Sequence, residues 1–349
     1  MKKGNEIKTK LSVLVVMFNE ESYIVNLLRN LLNQSIPREF YEVILVDGMS
    51  TDNTIDLIKP IVEKHKHVIK LLENTKKTLP IGWNIGIKAA SGDYIIRIDG
   101  HTSIERNFLE NYINLIEKQP SVECIGGVID SRGIGFQGTI NQYVYSHPFG
   151  VGNSKFRTTK HIWEGFVDTV PYGAYKREVF EKVGYFNGEL KRNEDIEFHK
   201  RMKDQGMRFY LSTSIRSIYY VRPTLKGLIL KSLADGTWNI IANQSVPGSL
   251  RLRHKAPLAA FLFGLAILIL AMIFNPMLWA LCAIVIAYLI GAAWASKGII
   301  NQSGLKFFLP TIWTFFCLHF FRGLGCFKAY LKKEYWWIRR KRKLLHRDN

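Results

Sequence analysis

Cysteine is scarce in this chain, and its scarcity excludes two architectures. Four cysteines, Cys124, Cys282, Cys317 and Cys326, are spread over 349 residues. Their spacing fits neither a zinc motif nor a disulfide framework. Two lie in strongly apolar segments, where a thiol behaves as a small hydrophobe. Reduced thiols in a cytosol-facing protein are therefore expected. Acids are also few: 29 Asp and Glu stand against 48 Lys and Arg, a formal charge of +19. An excess of that size draws nucleic acid, anionic lipid or a phosphorylated substrate. The N-terminal stretch from Met1 to Lys10 has no apolar core behind its charges, so no cleavable signal peptide is expected.

Long apolar runs are present, and they fall in the last third. Residues 256–274 and 277–296 contain no charged side chain. Each suffices for a membrane-crossing helix, which takes about 20 residues. Asn275-Pro276 makes the turn of a helical hairpin. A third run, 307–321, is shorter and carries Pro310 and His319. It reads as re-entrant, interfacial or spanning. Arg251, Arg253 and Lys255 precede the hairpin, and ten Lys or Arg against two acids follow from Arg322 onward. The positive-inside rule puts both flanks in the cytoplasm and favours a third segment that does not fully cross. Basic residues beside apolar segments point to anionic lipid, so no nucleic acid partner is expected. Tyr335, Trp336 and Trp337 beside the basic run suit a tail helix at the headgroup level.

Before this region the pattern alternates. Residues 11–18 form an unbroken apolar, β-branched run, as buried parallel strands do. A helix over 20–33 follows, with Ile24, Leu27, Leu28, Leu31 and Leu32 on one face. Strands are expected at 42–46, 68–72 and 93–98, with helices over 53–66 and 80–90 between them. Four alternations imply an α/β domain with a parallel sheet and right-handed crossovers. In such sheets ligands bind beyond the carboxyl ends of the strands. The residues there are Asn19 and Glu20, then Asp47 to Asp52, then Asp99 and His101. From 104 to 222 the pattern is mixed: helices near 105–118, 176–183 and 194–205, a strand near 122–130, and a Gly-rich aromatic stretch over 133–153. This half completes the sheet and supplies the second substrate's site, with 133–153 and His161 to Gly165 shaping acceptor choice.

Each candidate residue has a plain structural reading beside a chemical one. Thr51 or Asp52 would N-cap the next helix whatever the function. Asp47 at the strand tip lacks that explanation and suits a base or ribose. Gly92 reads as a helix C-cap, whereas Asn84 has no such explanation. Asp99-Gly100-His101 can hold Mg²⁺ or Mn²⁺, which need few protein ligands beside phosphate. Glu194-Asp195 opens a helix, where the dipole favours acids; alternatively one of them is a general base.

Taken in order, five signatures resemble family-2 glycosyltransferases with a GT-A fold. They are Val15 to Glu20, Val46 to Asp52, Asn84-Ile85-Gly86 through Gly92-Asp93, Asp99-Gly100-His101 in place of the family's Asp-x-Asp, and Asn193-Glu194-Asp195. The continuation through Arg222-Pro223 and Gly236-Thr237-Trp238 resembles the membrane-anchored branch that makes bacterial exopolysaccharides of the succinoglycan type. The resemblance implies a Rossmann-like nucleotide-diphospho-sugar transferase domain over 1–222. After it come a basic interfacial segment (223–255), a transmembrane hairpin (256–296), and the third apolar segment with a basic amphipathic tail (297–349).

It further implies inverting transfer from a nucleotide sugar, a UDP-sugar, to a lipid-linked or nascent saccharide at the cytoplasmic face of the plasma membrane. Asn19, Glu20, Asp47, Asn84 and Asp99 would bind the donor. Asp99 and His101 would hold the metal. Asp195, with Glu194 beside it, would be the base, and Arg222, Gly236 and Trp238 would line the acceptor interface. The processive Gln-x-x-Arg-Trp motif is absent, which implies one sugar per encounter. Two rival functions are a polyprenyl-phosphate sugar synthase and a non-catalytic membrane scaffold or polyanion binder.

Overall fold

The computed structural model describes residues 9–345. The charged N-terminal lead (1–8) and the end of the basic tail (346–349) lie outside the described residues. The chain divides into two compact units: Met1–Asp130 with Thr159–Tyr220, and Ser131–Thr158 with Val221–Asn349.

In the first unit the chain runs β1 (Leu11–Met17), α1 (Ile24–Leu32), β2 (Tyr41–Asp47), α2 (Thr54–Lys64), β3 (Ile69–Glu73), α3 (Leu79–Ala89) and β4 (Tyr94–Asp99). Then come β5 (Thr102–Ile104), α4 (Phe108–Lys118) and β6 (Cys124–Arg132). It leaves for α5 (Gly135–Ser146), α6 (Pro148–Val151) and α7 (Lys155–Thr158), which belong to the second unit. It returns as β7 (Glu164–Val167), β8 (Ala174–Lys176), α8 (Arg177–Val183), α9 (Glu194–Asp204) and β9 (Phe209–Tyr220). The sheet order is β3-β2-β1-β4-β8-β6-β9-β5, with β7 on β9. β3, β2, β1 and β4 are parallel, and β8 joins β4 antiparallel.

Every residue of β1 and β2 is buried, which is why both are dominated by apolar, β-branched residues. Their register sets the site. Met17 lies opposite Asp47, and Val16 opposite Asp99. Both carboxylates therefore stand at one edge, beside the turn that carries Asn19 and Glu20.

At the other edge Glu42 ties three strands together. It accepts hydrogen bonds from Ser12 Oγ (2.7 Å), Ser91 N (2.6 Å), Ser91 Oγ (2.7 Å) and Lys70 Nζ (2.7 Å). Gly92 belongs to the same knot. It is not the helix cap expected, because α3 ends at Ala89 and Ala90 is already extended. A Cβ at Gly92 would stand 2.7 Å from the backbone of Leu11 and Ser12, so close strand approach is what requires glycine. Asp52 accepts from the Thr54 N–H at 3.0 Å, but the N-cap position of α2 falls one residue later, on Asn53, rather than on Thr51 or Asp52 as expected.

The second unit is helical: α10 (Leu225–Ser245), α11 (Leu252–Ile273), α12 (Pro276–Ala295), α13 (Lys297–Ser303), α14 (Phe308–Ala329) and α15 (Lys333–Leu345) follow α5–α7. Among the described residues, three stretches are long and apolar enough to cross a membrane: Leu252–Ile273, Pro276–Ser303 and Leu305–Ala329. The third run is longer than its apolar core because α14 continues through Arg322 and Gly323. Pro310 is tolerated in its first turn, where no backbone donor is lost.

Small residues let α10 and α14 cross closely. A Cβ on Gly236 would stand 2.2 Å from Arg322 O, and one on Gly325 2.3 Å from Leu233 O. Residue 236 thus sits inside a helix crossing, while Trp238 is half-buried and Arg222 exposed. His319 bonds Tyr288 (2.9 Å) and the Phe149 carbonyl (2.9 Å). Tyr143 OH donates to Ala295 O at 2.6 Å, and Gln137 to Thr314 at 3.1 Å. The Gly-rich stretch is therefore part of the helical unit.

Burial pushes the Glu42 carboxyl up, but its hydrogen bonds from Lys70, Ser91 and Ser12 outweigh this and bring it to about 2, from 4.5. A depressed acid stabilises the fold above its unfolded value and loses that contribution as pH falls through the folded one. The wild type should lose thermal stability between pH 4.5 and 2. Glu42→Gln should lower the neutral-pH unfolding midpoint and flatten that acid limb, as read by thermal unfolding across pH.

Candidate active site

Two loops at the carboxyl edge are laced together. Asn19, in the left-handed region (φ 55), donates its N–H to Ser50 Oγ (3.0 Å) and accepts from the Thr51 N–H (2.8 Å). Glu20 N donates to Thr54 Oγ1 (2.8 Å), and Glu21 accepts from the Asn53 N–H (3.0 Å). Asp47 is buried and closes its own turn, accepting from Ser50 Oγ (2.6 Å) and Ser50 N (3.0 Å). Phe18 and Met49 stand exposed on the rim.

Glu20 also reaches the next strand end. Its Oε1 lies 2.8 Å from His101 Nδ1. The glycine between Asp99 and His101 permits this, since a Cβ there would stand 2.8 Å from Glu20 Cγ. Burial pushes the His101 imidazole down. The Glu20 hydrogen bond and the charges of Asp99, Tyr219 and Glu20 outweigh burial and raise it to about 9. Among the described residues no group of three or more His, Cys, Asp or Glu is gathered for a metal. Asp99 and His101 thus offer at most a two-ligand station, and the imidazole, held protonated by Glu20, can ligate only after giving up a proton. A two-ligand station excludes a closed structural site, which takes four protein ligands. It suits a cation that completes its shell with phosphate and water.

The acid pair is placed by Arg97, a residue the sequence did not single out. Arg97 lies two residues before Asp99 on β4. Its guanidinium is sandwiched between the rings of Trp83 (4.5 Å) and Phe186 (4.6 Å) and donates to Glu194 Oε1 at 2.8 Å. Burial works against its charge, yet Tyr175, Glu194, Asp195 and Asp99 together hold its pKa above the usual value. Glu194 is therefore the buried anchor of α9, and the half-buried Asp195 beside it carries its carboxylate at the helix start. Asn193 in the left-handed region (φ 58) turns the chain into that helix. Asn84 clasps the far side of the sandwich: its amide donates to Phe186 O (2.8 Å) and accepts from Phe186 N (3.0 Å).

The sequence also missed the tip of β3. Asn74 Oδ1, Thr78 Oγ1 and Trp83 Nε1 are buried with no hydrogen-bond partner. Asn74 and Thr78 belong to the loop that leaves this strand end and Trp83 to α3, and buried polar atoms left unpaired call for an explanation such as a ligand or ordered water. Short polar residues in a loop give no periodic signal by which to find them.

A GT-A-type α/β sheet with carboxylates at its strand ends defines a sugar-transferring enzyme. The chain belongs to the family described as Glycosyl transferase family 2, which it matches over residues 12–184. It is 34% identical over 233 residues to a dolichyl N-acetyl-alpha-D-glucosaminyl phosphate 3-beta-D-2,3-diacetamido-2,3-dideoxy-beta-D-glucuronosyltransferase of Methanococcus voltae, covering 65% of this chain and 71% of that one. It is 26% identical over 265 residues to the succinoglycan biosynthesis protein ExoA of Rhizobium meliloti (strain 1021), covering 73% and 77%. In fold it resembles a mannosyltransferase from Pyrobaculum calidifontis in complex with GDP-Man and Mn²⁺. The TM-score is 0.59 at 19% identity, over 95% of this chain and 92% of that one.

Removing one member of a buried ion pair costs about 3–5 kcal/mol, because the other charge is stranded. Arg97→Met should therefore destabilise the protein by about that much. Adding Glu194→Met should recover a large share, as read by unfolding of the single and double variants.

Proposed function

We propose that this enzyme transfers a sugar, with inversion, from a UDP-sugar to a lipid-linked or nascent saccharide at the cytoplasmic membrane face, in exopolysaccharide or cell-surface glycan synthesis. One observation carries the reading. Arg97 joins the strand end bearing Asp99 to the helix start bearing Asp195. Donor and base are thereby referred to a single rigid point. Asn19, Glu20 and Asp47 hold the nucleoside, with Phe18 and Met49 giving its base an apolar rim. Asn84 supports the site through Phe186.

Asp195 takes the proton from the acceptor hydroxyl as that oxygen forms its bond to the anomeric carbon. The bond from that carbon to the nucleoside diphosphate breaks on the opposite face, and the diphosphate leaves with the electron pair. Asp99, and His101 once deprotonated, would hold a divalent metal, Mg²⁺ or Mn²⁺, which would supply charge neutralisation for the departing diphosphate. The named relatives support a lipid-linked acceptor and polysaccharide synthesis, and the neighbour crystallised with GDP-Man and Mn²⁺ supports the donor class and metal. Asp195→Asn should lower kcat by about 10²–10⁴ and leave donor binding intact, in a screen of nucleotide sugars with Mg²⁺ and Mn²⁺. Undiminished turnover would instead point to a lipid phosphate as nucleophile, which needs no base.

The membrane reading is a two-helix hairpin with α14 and α15 at the interface. Both ends of α14 meet chain that precedes the hairpin. Phe315 packs on Phe149 (5.1 Å), and Gly325 meets Leu233. Its contacts on α11 and α12 fall near the hairpin's base: Phe320 on Phe261 (5.6 Å), Gly323 at Pro257, and His319 on Tyr288. Arg342 of α15 donates to Gln244 O at 2.9 Å, back on α10. Trp336 and Trp337 stay exposed for headgroups, with Arg339 and Lys341 over their rings. In a cysteine-free background, an impermeant maleimide applied to intact cells should label Asn275→Cys and spare Lys343→Cys. Labelling of both would show that α14 crosses.

A further inference from the structure

The segment before β8 holds a side chain that no motif singles out. Tyr172 has φ 46, in the left-handed region. A bulky residue there is a backbone outlier, and such strain persists only where the surroundings over-determine it. They do so here. The fully buried Tyr112 donates its hydroxyl to the Tyr172 carbonyl at 2.5 Å. Gly126 beneath the segment has no room for a Cβ, which would stand 2.5 Å from Val170 and 2.8 Å from Pro171 O. On the other face the Tyr172 hydroxyl lies 2.7 Å from Thr102 Oγ1 and donates to Asp99 Oδ2 at 3.3 Å.

A phenol has one proton. Because the carboxylate can only accept, that proton goes to Asp99, and the phenolic oxygen accepts from the buried Thr102 hydroxyl. The order is Thr102 to Tyr172 to Asp99, each bond polarising the next. We propose that Tyr172 is a positioning residue that aims the Asp99 carboxylate at the metal and diphosphate. At 3.3 Å its bond is long and weak for a hydroxyl donor, so the expected contribution is at the low end for such partners. The strained backbone is what brings a ring from outside β4 to the tip of that strand.

This rests on the reading of Asp99 given above, and the test separates the two. Mn²⁺ binding to the full-length protein with UDP is measured by electron paramagnetic resonance of free Mn²⁺, beside thermal unfolding. Partners of ligating carboxylates are worth about 10- to 100-fold in metal affinity. Y172F should weaken Mn²⁺ binding about tenfold, at the low end of that range, with the unfolding midpoint unchanged. T102V should shift it less, in the same direction. D99N should abolish it. Wild-type affinity in Y172F with loss in D99N overturns the role of Tyr172 alone. Wild-type affinity in D99N overturns the placement of the metal, and this proposal with it. A Y172F loss matched by a fall in midpoint means the tyrosine is merely structural. If Y172F does not fold, T102V decides, and unchanged affinity there overturns the proposal.

Discussion

The buried pair of Arg97 and Glu194 is the contact on which the site depends. A guanidinium taken fully out of water is costly unless its charge is met nearby. Here it is met by a carboxylate on one side and by two aromatic faces above and below. Three elements therefore have to agree before the charge is comfortable: β4 for the arginine, α3 for Trp83, and the chain from Phe186 into α9 for the second ring and the acid. Asp99 and Asp195 sit immediately beyond the pair at its two ends, so the placement of both carboxylates is inherited from the requirements of desolvation.

The loops at the strand tips are held differently. They lack a core of their own and are stitched by short polar side chains across the gap between β1 and β2. The side chains of Ser50, Asn19 and Thr54 accept from the backbone N–H groups of Asn19, Thr51 and Glu20 in turn, so each loop holds the other. Glycine enters where approach is closest, as at Gly100, where the Glu20 side chain passes over the backbone.

The parallel half of the sheet was legible because burial on both faces leaves a continuous apolar run, and strand ends then name their own candidates. Asp47, Asp99 and His101 follow from that rule. The resemblance singled out Asp195 of the acid pair, but nothing local told that Glu194 beside it would be a buried anchor for Arg97. Arg97 and Tyr172 were hidden for a related reason. One is an arginine within an apolar strand, and the other a tyrosine whose meaning lies in a backbone angle. Gly92 was misread because a cap and a steric gap both ask for glycine. The excursion of residues 131–158 into the helical unit could not be read at all, because its partners lie 152 to 177 residues further along the chain.

That excursion bears on how the protein is made. Tyr143, Phe149 and Gln137 emerge from the ribosome before the helices that receive them, and β7, β8 and β9 follow them before those helices appear. Synthesis therefore passes through a stage in which a nearly finished catalytic sheet carries an unsheltered aromatic loop. A chain cut at 222 would be arrested at that stage, with the sheet formed and Gln137, Tyr143 and Phe149 deprived of the helices that hold them. In the whole protein α12 and α14 take up that loop, through Ala295, Thr314 and His319.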